Sequence, residues 1–124
     1  MMAVFVLLGC ASPRPAPEPT RGRLSNEQLL APIIDSRDRI RACHERLLQE
    51  NPSLRGMVTV QFVIGREGRV EDSRVLQDAS GDRRLGACVA GEVASIRFPE
   101  PEGGPVKVEF PFHFSAPEDD QAEP

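Results

Sequence analysis

The sequence predicts a small α+β domain in which two helices pack on one face of a three-stranded antiparallel sheet. Three observations predict this fold. Two alternating segments are joined by a four-residue turn with glycine at both ends, and a third alternating segment lies near the C-terminus. Two segments of helical periodicity lie before and after the hairpin. The predicted order of elements is therefore α-β-β-α-β.

Length and composition fit one soluble domain. The chain has 124 residues, of which 40% are hydrophobic and 27% are charged. Its 15 basic and 19 acidic residues give a formal charge of −4, which argues against a nucleic-acid partner. The longest apolar run is far shorter than the roughly 18 residues of a spanning helix, so none is expected.

The N-terminus carries a segment typical of a targeting signal. Residues 3–8 are continuously apolar, although no basic residue precedes them, and the next residues are Gly9 and Cys10. The sequence Leu-Leu-Gly-Cys resembles the bacterial lipobox, in which the peptidase cuts before a lipidated cysteine. We therefore expect a lipoprotein signal peptide over residues 1–9 and lipidation at Cys10. The alternative is an ordinary cleaved signal with an incidental cysteine.

Composition also divides the rest of the chain. Residues 10–24 contain four prolines at alternate positions and predict an extended tether. Residues 115–124 form an acidic tail without large apolar residues and are expected to be disordered. The folded domain is predicted over residues 25–114. Ala11 occupies the position at which aspartate retains many lipoproteins at the inner membrane, so the outer membrane is the preferred destination.

The first helical segment begins with a capping signal. Ser25 and Gln28 match a capping box, and Pro32 predicts that a short first turn is followed by a new helix start near that residue. Beyond it, apolar residues recur at helical spacing: Ile33, Ile40, Cys43 and Leu47. Asn51 and Pro52 are expected to end this helix.

The hairpin is predicted from alternation and from its turn. Residues 57–64 alternate in polarity, residues 65–68 form the turn, and residues 69–76 form the second strand. The apolar positions of that second strand change phase. This change predicts a β-bulge near Asp72 and Ser73.

The last two elements complete the layer of helices and the sheet. Asp82 is the expected N-cap of a second helix, with an apolar stripe formed by Leu85, Cys88, Val89, Val93 and Ile96. Residues 106–114 alternate throughout and are the clearest strand in the chain. Pro111 has no N–H to donate, which predicts that this strand lies at a sheet edge.

Two cysteines face the predicted core. If Cys10 is lipidated, Cys43 and Cys88 remain, one on each helix, in an oxidising compartment. We expect a disulfide between them; two buried thiols and a redox-active pair are the alternatives. His44 is expected to be a solvated helix residue, and no metal site is expected because no ligand cluster has the required spacing.

The order of these motifs resembles the TonB C-terminal domain, and within it the variant that ends AgmX-type gliding-motility proteins of myxobacteria. The residues that carry the resemblance are Cys43, Asn51-Pro52, Gly56–Ile64, Gly68-Arg69-Val70, Cys88-Val89, Phe98-Pro99-Glu100-Pro101 and Val106–Phe114. Together they extend over nearly the whole predicted domain.

The resemblance implies a periplasmic domain without catalysis. In TonB itself, the last strand pairs with a short segment of an outer-membrane transporter and transmits energy from an inner-membrane motor. This chain departs from that design, because its sequence shows no N-terminal transmembrane helix to meet the motor and its tether is too short to cross a periplasm.

The sequence therefore predicts a non-catalytic, lipid-anchored interaction module with no cofactor, no metal and no catalytic residue. We expect it to bind an envelope protein by β-augmentation, through Val106, Lys107, Val108, Glu109 and Phe110. One alternative is an accessory of a TonB-like or gliding-motility energy-transducing complex, and another is a purely structural envelope lipoprotein. A second copy of the chain, paired through the same edge strand as a homodimer, is a further candidate partner.

Overall fold

The structure, a computed structural model, describes residues 18–116. It contains three helices, α1 (Asn26–Asp35), α2 (Arg37–Leu48) and α3 (Arg83–Ala94). It also contains three strands, β1 (Gly56–Ile64), β2 (Val70–Asp78) and β3 (Val106–Phe114), in an antiparallel sheet of order β2-β1-β3. The predicted α+β class and the order α-β-β-α-β are confirmed. The expected signal peptide, Cys10, most of the tether and the tail beyond Ala116 lie outside the described residues.

The first predicted helix is divided into α1 and α2. Its capping box is confirmed, since the Gln28 N–H donates to the Ser25 hydroxyl and the Gln28 side chain accepts from the Ser25 N–H. The expected new start near Pro32 is wrong, because α1 continues through that residue and ends at Asp35, with Ser36 as its C-cap. There, the Ser36 N–H and hydroxyl both donate to the Pro32 carbonyl, which closes the last turn of α1.

The turn between β1 and β2 requires glycine at its end. The Gly68 N–H donates to the Gly65 carbonyl over 2.9 Å, and Gly68 has φ of 83°, which L side chains rarely adopt. A Cβ at this position would lie 2.0 Å from the Phe98 carbonyl oxygen. The Phe98 N–H in turn donates to the Gly68 carbonyl, so the turn also holds the segment that follows α3.

Strand β2 carries two irregularities where the sequence predicts one. Asp72 and Ser73 are themselves paired with β1, but the adjacent Glu71 has no partner there, so the predicted bulge near these residues is confirmed. A second register shift, which the sequence does not predict, leaves Leu76 without a partner in β1. Each extra residue shifts the alternation of the strand, which is the physical origin of the phase change in the sequence.

Strand β3 is an edge strand, as Pro111 predicts. It pairs with β1 over all nine residues in continuous register, and β1 lies between β3 and β2. Helix α3 contacts β2 and β1, while α2 contacts α3. Among the described elements, no helix contacts β3 as extensively as α3 contacts β2 and β1.

The core lies between the helices and the sheet. Its fully buried side chains are Phe62, Leu54, Ile64, Leu85, Val58, Val60, Val89, Val93 and Cys43. Phe62 stacks on Phe98 with ring centroids 5.8 Å apart. The expected disulfide is confirmed: Cys43 of α2 and Cys88 of α3 are bonded, with Cα atoms 5.8 Å apart.

His44 differs from its expected solvated position. It is only 5% exposed, its Nε2–H donates to the Leu54 carbonyl over 2.6 Å, and its ring lies 5.1 Å from that of Phe114. His44 follows the buried Cys43 on α2, and its ring lies beside Phe114 at the end of β3. The ring therefore satisfies a carbonyl in the chain that leads from α2 to β1.

The end of the predicted tether docks on the domain. The Gly22 N–H donates to the Pro105 carbonyl, and Arg23 and Glu102 exchange two backbone hydrogen bonds. Arg66 of the hairpin turn also pairs with Glu18. Residues 18–24 thus lie against the loop before β3, whereas the sequence predicts an extended spacer as far as residue 24.

The N-terminus of α3 is capped as predicted. The Asp82 carboxylate accepts from the Arg84 N–H over 2.9 Å and from the Arg84 guanidinium. These hydrogen bonds from Arg84 lower the pKa of the Asp82 carboxyl. The charge also suits the positive end of the helix dipole.

Candidate functional site: the β3 edge and its groove

The hydrogen-bond pattern of β1 shows which backbone groups of β3 point outward. The Met57 carbonyl accepts from Ala79, and the Gly65 N–H donates to Arg69, so odd-numbered residues of this segment bond toward β2. Successive residues of a strand point their N–H and C=O groups to opposite sides. Even-numbered residues of β1 therefore bond toward β3, where their register partners are also even-numbered, as in Val58↔Phe112.

The odd-numbered residues of β3 form the outer row of the sheet. Lys107, Glu109, Pro111 and His113 are exposed, and their backbone groups point away from β1. Pro111 lies at a position where a missing N–H breaks no bond of the sheet. The edge thus presents three N–H donors and four carbonyl acceptors, and no strand of residues 18–116 covers them.

The five residues that the sequence assigns to partner binding have two different orientations. The backbones of Lys107 and Glu109 point outward along the edge. Those of Val106, Val108 and Phe110 bond to β1, and their side chains pack against the core. The outer row also includes His113, which was not among the predicted residues although it continues the same period of two.

A groove of about 780 Å³ runs between the α1–α2 segment and β3. Its lining includes Ile34, Arg37, Ile40, Arg41, Phe110 and Phe114. Phe110 and Phe114 are only partly buried, and Ile34 is 55% exposed, whereas the neighbouring Ile33 is buried. The groove is therefore lined by large apolar side chains that the fold leaves accessible.

The disulfide helps to explain why this groove is open. The Cys43–Cys88 bond ties α2 to α3, and α3 lies over β1 and β2. Helix α2 is thereby held close to α3 instead of packing along β3. Because β3 is the outermost strand, the gap between α2 and β3 opens along the same edge as the outward-facing backbone groups.

Charged side chains line the groove on α2. Arg37, Arg41 and Glu45 follow one another at intervals of four residues and so share one face of the helix. Within residues 18–116, neither Arg37 nor Arg41 forms an ion pair. The groove thus combines an apolar floor with two guanidinium groups that are available to an acidic ligand.

The opposite face of the sheet is polar and internally bonded. Gln61 donates to the Glu109 carboxylate over 3.1 Å and accepts from the Arg74 guanidinium over 3.2 Å. Arg74 also lies 3.9 Å from the Asp72 carboxylate. These four polar side chains already have partners within the sheet, so the apolar groove is the more distinctive surface beside β3.

The remaining predicted site residues lie elsewhere. The Cys43–Cys88 disulfide is between the helices, where the Arg46 guanidinium lies 3.3 Å from the Cys88 Sγ. Over residues 18–116, no three histidine, cysteine or carboxylate side chains are grouped as metal ligands would be. The helices in that range are also too short or too polar to span a bilayer.

In comparisons with known proteins, no family model, no curated protein and no solved structure matches this chain.

Proposed function

We propose that this protein is a non-catalytic, lipid-anchored module of the bacterial cell envelope that binds a partner protein by adding a strand to the edge of β3. The observation that carries the proposal is the row of outward backbone groups at Lys107, Glu109, Pro111 and His113. An extended peptide bonds to such a row as it would to another strand of the sheet.

The regularity of β3 favours this edge over the other one. Strand β2 is also an edge strand, but the bulges at Glu71 and Leu76 interrupt its ladder. Bulges of this kind are a common protection against edge pairing. Strand β3 has no bulge, and Pro111 removes only one of its outward donors.

The N-terminal sequence supports the cell envelope as the location. The lipobox-like segment ending at Cys10 would supply an acyl anchor, and the tether would present the domain on the periplasmic side. The resemblance to TonB C-terminal domains agrees with a periplasmic module that binds through its last strand. We propose the outer membrane as the site of the anchor, because aspartate is absent at residue 11.

Photocrosslinking tests strand addition in the native envelope. A photoreactive residue at Lys107 is expected to give one dominant adduct, because its side chain projects beside the added strand. In a Glu109→Pro variant the adduct should be lost, since the ring replaces an outward N–H and blocks the space beside it. The readout is the adduct band after irradiation, identified by mass spectrometry.

The matched control is Glu109→Val. It loses the same carboxylate and the same hydrogen bond with Gln61, but it keeps the backbone N–H. Its adduct should therefore persist. Diffuse adducts, or equal adducts in the two variants when both are folded, would contradict strand addition and favour a purely structural lipoprotein.

A further inference from the structure

We infer that the groove beside β3 selects the added strand, and that it prefers an extended segment with large apolar side chains at alternate positions flanked by acidic residues. This inference rests on the proposed function, because it describes the partner of the same edge. It depends on three features: the period of an added strand, the accessible apolar side chains and the two arginines on α2.

The period follows from sheet geometry. A strand added to β3 would lie about 4.8 Å from it, and its alternate side chains would point to the same face as Phe110, Phe112 and Phe114. That is the face on which the groove lies. Every second residue of the peptide would therefore enter the groove, while the residues between would face the polar side of the sheet.

The apolar preference follows from what remains accessible. Ile34 is 55% exposed, and Phe110 and Phe114 are only partly buried, whereas their neighbours Ile33, Val108 and Phe112 are buried. The groove volume of about 780 Å³ lies within the range of roughly 300–1,000 Å³ that is typical of ligand sites. Valine, leucine or phenylalanine side chains would bury more apolar surface there than alanine or serine.

The acidic preference follows from charge complementarity. Arg37 and Arg41 line the groove and form no ion pair with any residue of the range 18–116, whereas Arg39, Arg66, Arg74 and Arg84 each do. Guanidinium groups bind carboxylates with charge-assisted and often bidentate hydrogen bonds. Glu45, one turn beyond Arg41, also lines the groove, but the three side chains together carry a net positive charge.

Two other candidate occupants fit the groove less well. The chain's own residues 118–120 are acidic, but the tail has no large apolar residue to fill the groove. A second copy pairing through β3 would bring two sets of Arg37 and Arg41 toward the same contact. We therefore assign the groove to a segment of a different protein.

Synthetic nine-residue peptides test the inference directly. The acidic probe has the central sequence Val-Thr-Val-Thr-Val with two glutamates on each side, and the basic probe carries lysines instead. A third probe keeps the glutamates but has serine in place of valine. With the full chain in detergent solution, fluorescence anisotropy should show the acidic valine probe binding about tenfold tighter than either of the others.

Variants of the protein test whether groove residues cause the preference for the acidic valine probe. Arg37→Gln with Arg41→Gln should weaken binding of the acidic probe about tenfold and remove its advantage over the basic probe. Arg83→Gln, on α3, is the matched control. It should change neither the affinity for the acidic probe nor the advantage of that probe over the basic one. Ile34→Ser should weaken both valine probes, whereas Leu76→Ser, an equivalent change on β2, should not.

The outcomes separate this inference from the proposed function. Equal binding of the acidic and basic probes, no binding of any probe, or concentration-dependent dimers through β3 would each overturn the inference. If the Lys107 adduct still depends on the Glu109 backbone N–H in those cases, strand addition itself stands. If the adduct is also absent, both fail. Thermal unfolding of each variant confirms that affinities are compared between folded proteins.

Discussion

Cys43→Ala and Cys88→Ala should each lower the free energy of unfolding by about 4 kcal/mol. The bond joins residues 45 positions apart, and closing a loop of that length removes much of the freedom of the unfolded chain. A domain of this size has a total stability of roughly 5–15 kcal/mol, so the loss is a large fraction. Thermal unfolding followed by circular dichroism should show a decrease in Tm of at least about 15 °C.

The two single variants should be destabilised alike, because either one removes the same bond. The double variant should therefore lose little more than a single one, which distinguishes loss of a crosslink from loss of two independent contacts. Dithiothreitol should lower the Tm of the native chain to that of the variants. A native chain whose Tm does not respond to reductant, or two thiols titrated in it without reduction, would contradict the bridge.

Phe62→Ala should lower the free energy of unfolding by about 3–5 kcal/mol. Phe62 has no exposed surface and is the largest of the fully buried side chains. It lies in the central strand and stacks on Phe98, so its removal leaves a cavity between the sheet and the segment after α3. Chemical denaturation in urea measures the change.

A matched change on the sheet's surface provides the comparison. Val75→Ala, on edge strand β2, removes a side chain that is 36% exposed, and its effect should be within about 1 kcal/mol. Phe62→Leu keeps much of the buried volume, so its loss of unfolding free energy should lie between those of Phe62→Ala and Val75→Ala. An effect of Phe62→Ala no larger than that of Val75→Ala would contradict the position of the core.

The elements that sequence reasoning located best are those with strong local signals. The bounds of β3 follow from nine residues of unbroken alternation, and the caps at Ser25 and Asp82 depend on side chains only two or three residues from the groups they bond. The edge position of β3 follows from Pro111 alone. In each case, local chemistry leaves few alternatives.

The features that were missed depend on contacts between distant segments. The helix break lies at Ser36 rather than near Pro32, because α1 continues through Pro32 and Ser36 closes its last turn by donating to the Pro32 carbonyl. His44 is buried because the Leu54 carbonyl and Phe114 lie beside it, and neither contact is visible from helical periodicity. The docking of residues 18–24 likewise requires the loop before β3.

The groove could be predicted only in part. The apolar face of β3 was evident from its phenylalanines, but the accessibility of Ile34 depends on where α1 turns into α2 and on how closely α2 is held to α3. The roles of Arg37 and Arg41 depend on the same placement. In the sequence they are two of many charged residues on a helix.

The most direct test of the account is amide hydrogen exchange across β3, measured by NMR with and without the acidic valine probe. In the free protein, the N–H groups of Lys107, Glu109 and His113 should exchange rapidly, while those of Val108 and Phe110 should be protected by β1. Adding the probe should slow exchange at the first three residues and leave the other two unchanged. Protection at Lys107 and Glu109 already in the free protein, or probe binding that leaves their exchange rates unaltered, would contradict the central claim that β3 offers a free edge to a partner strand.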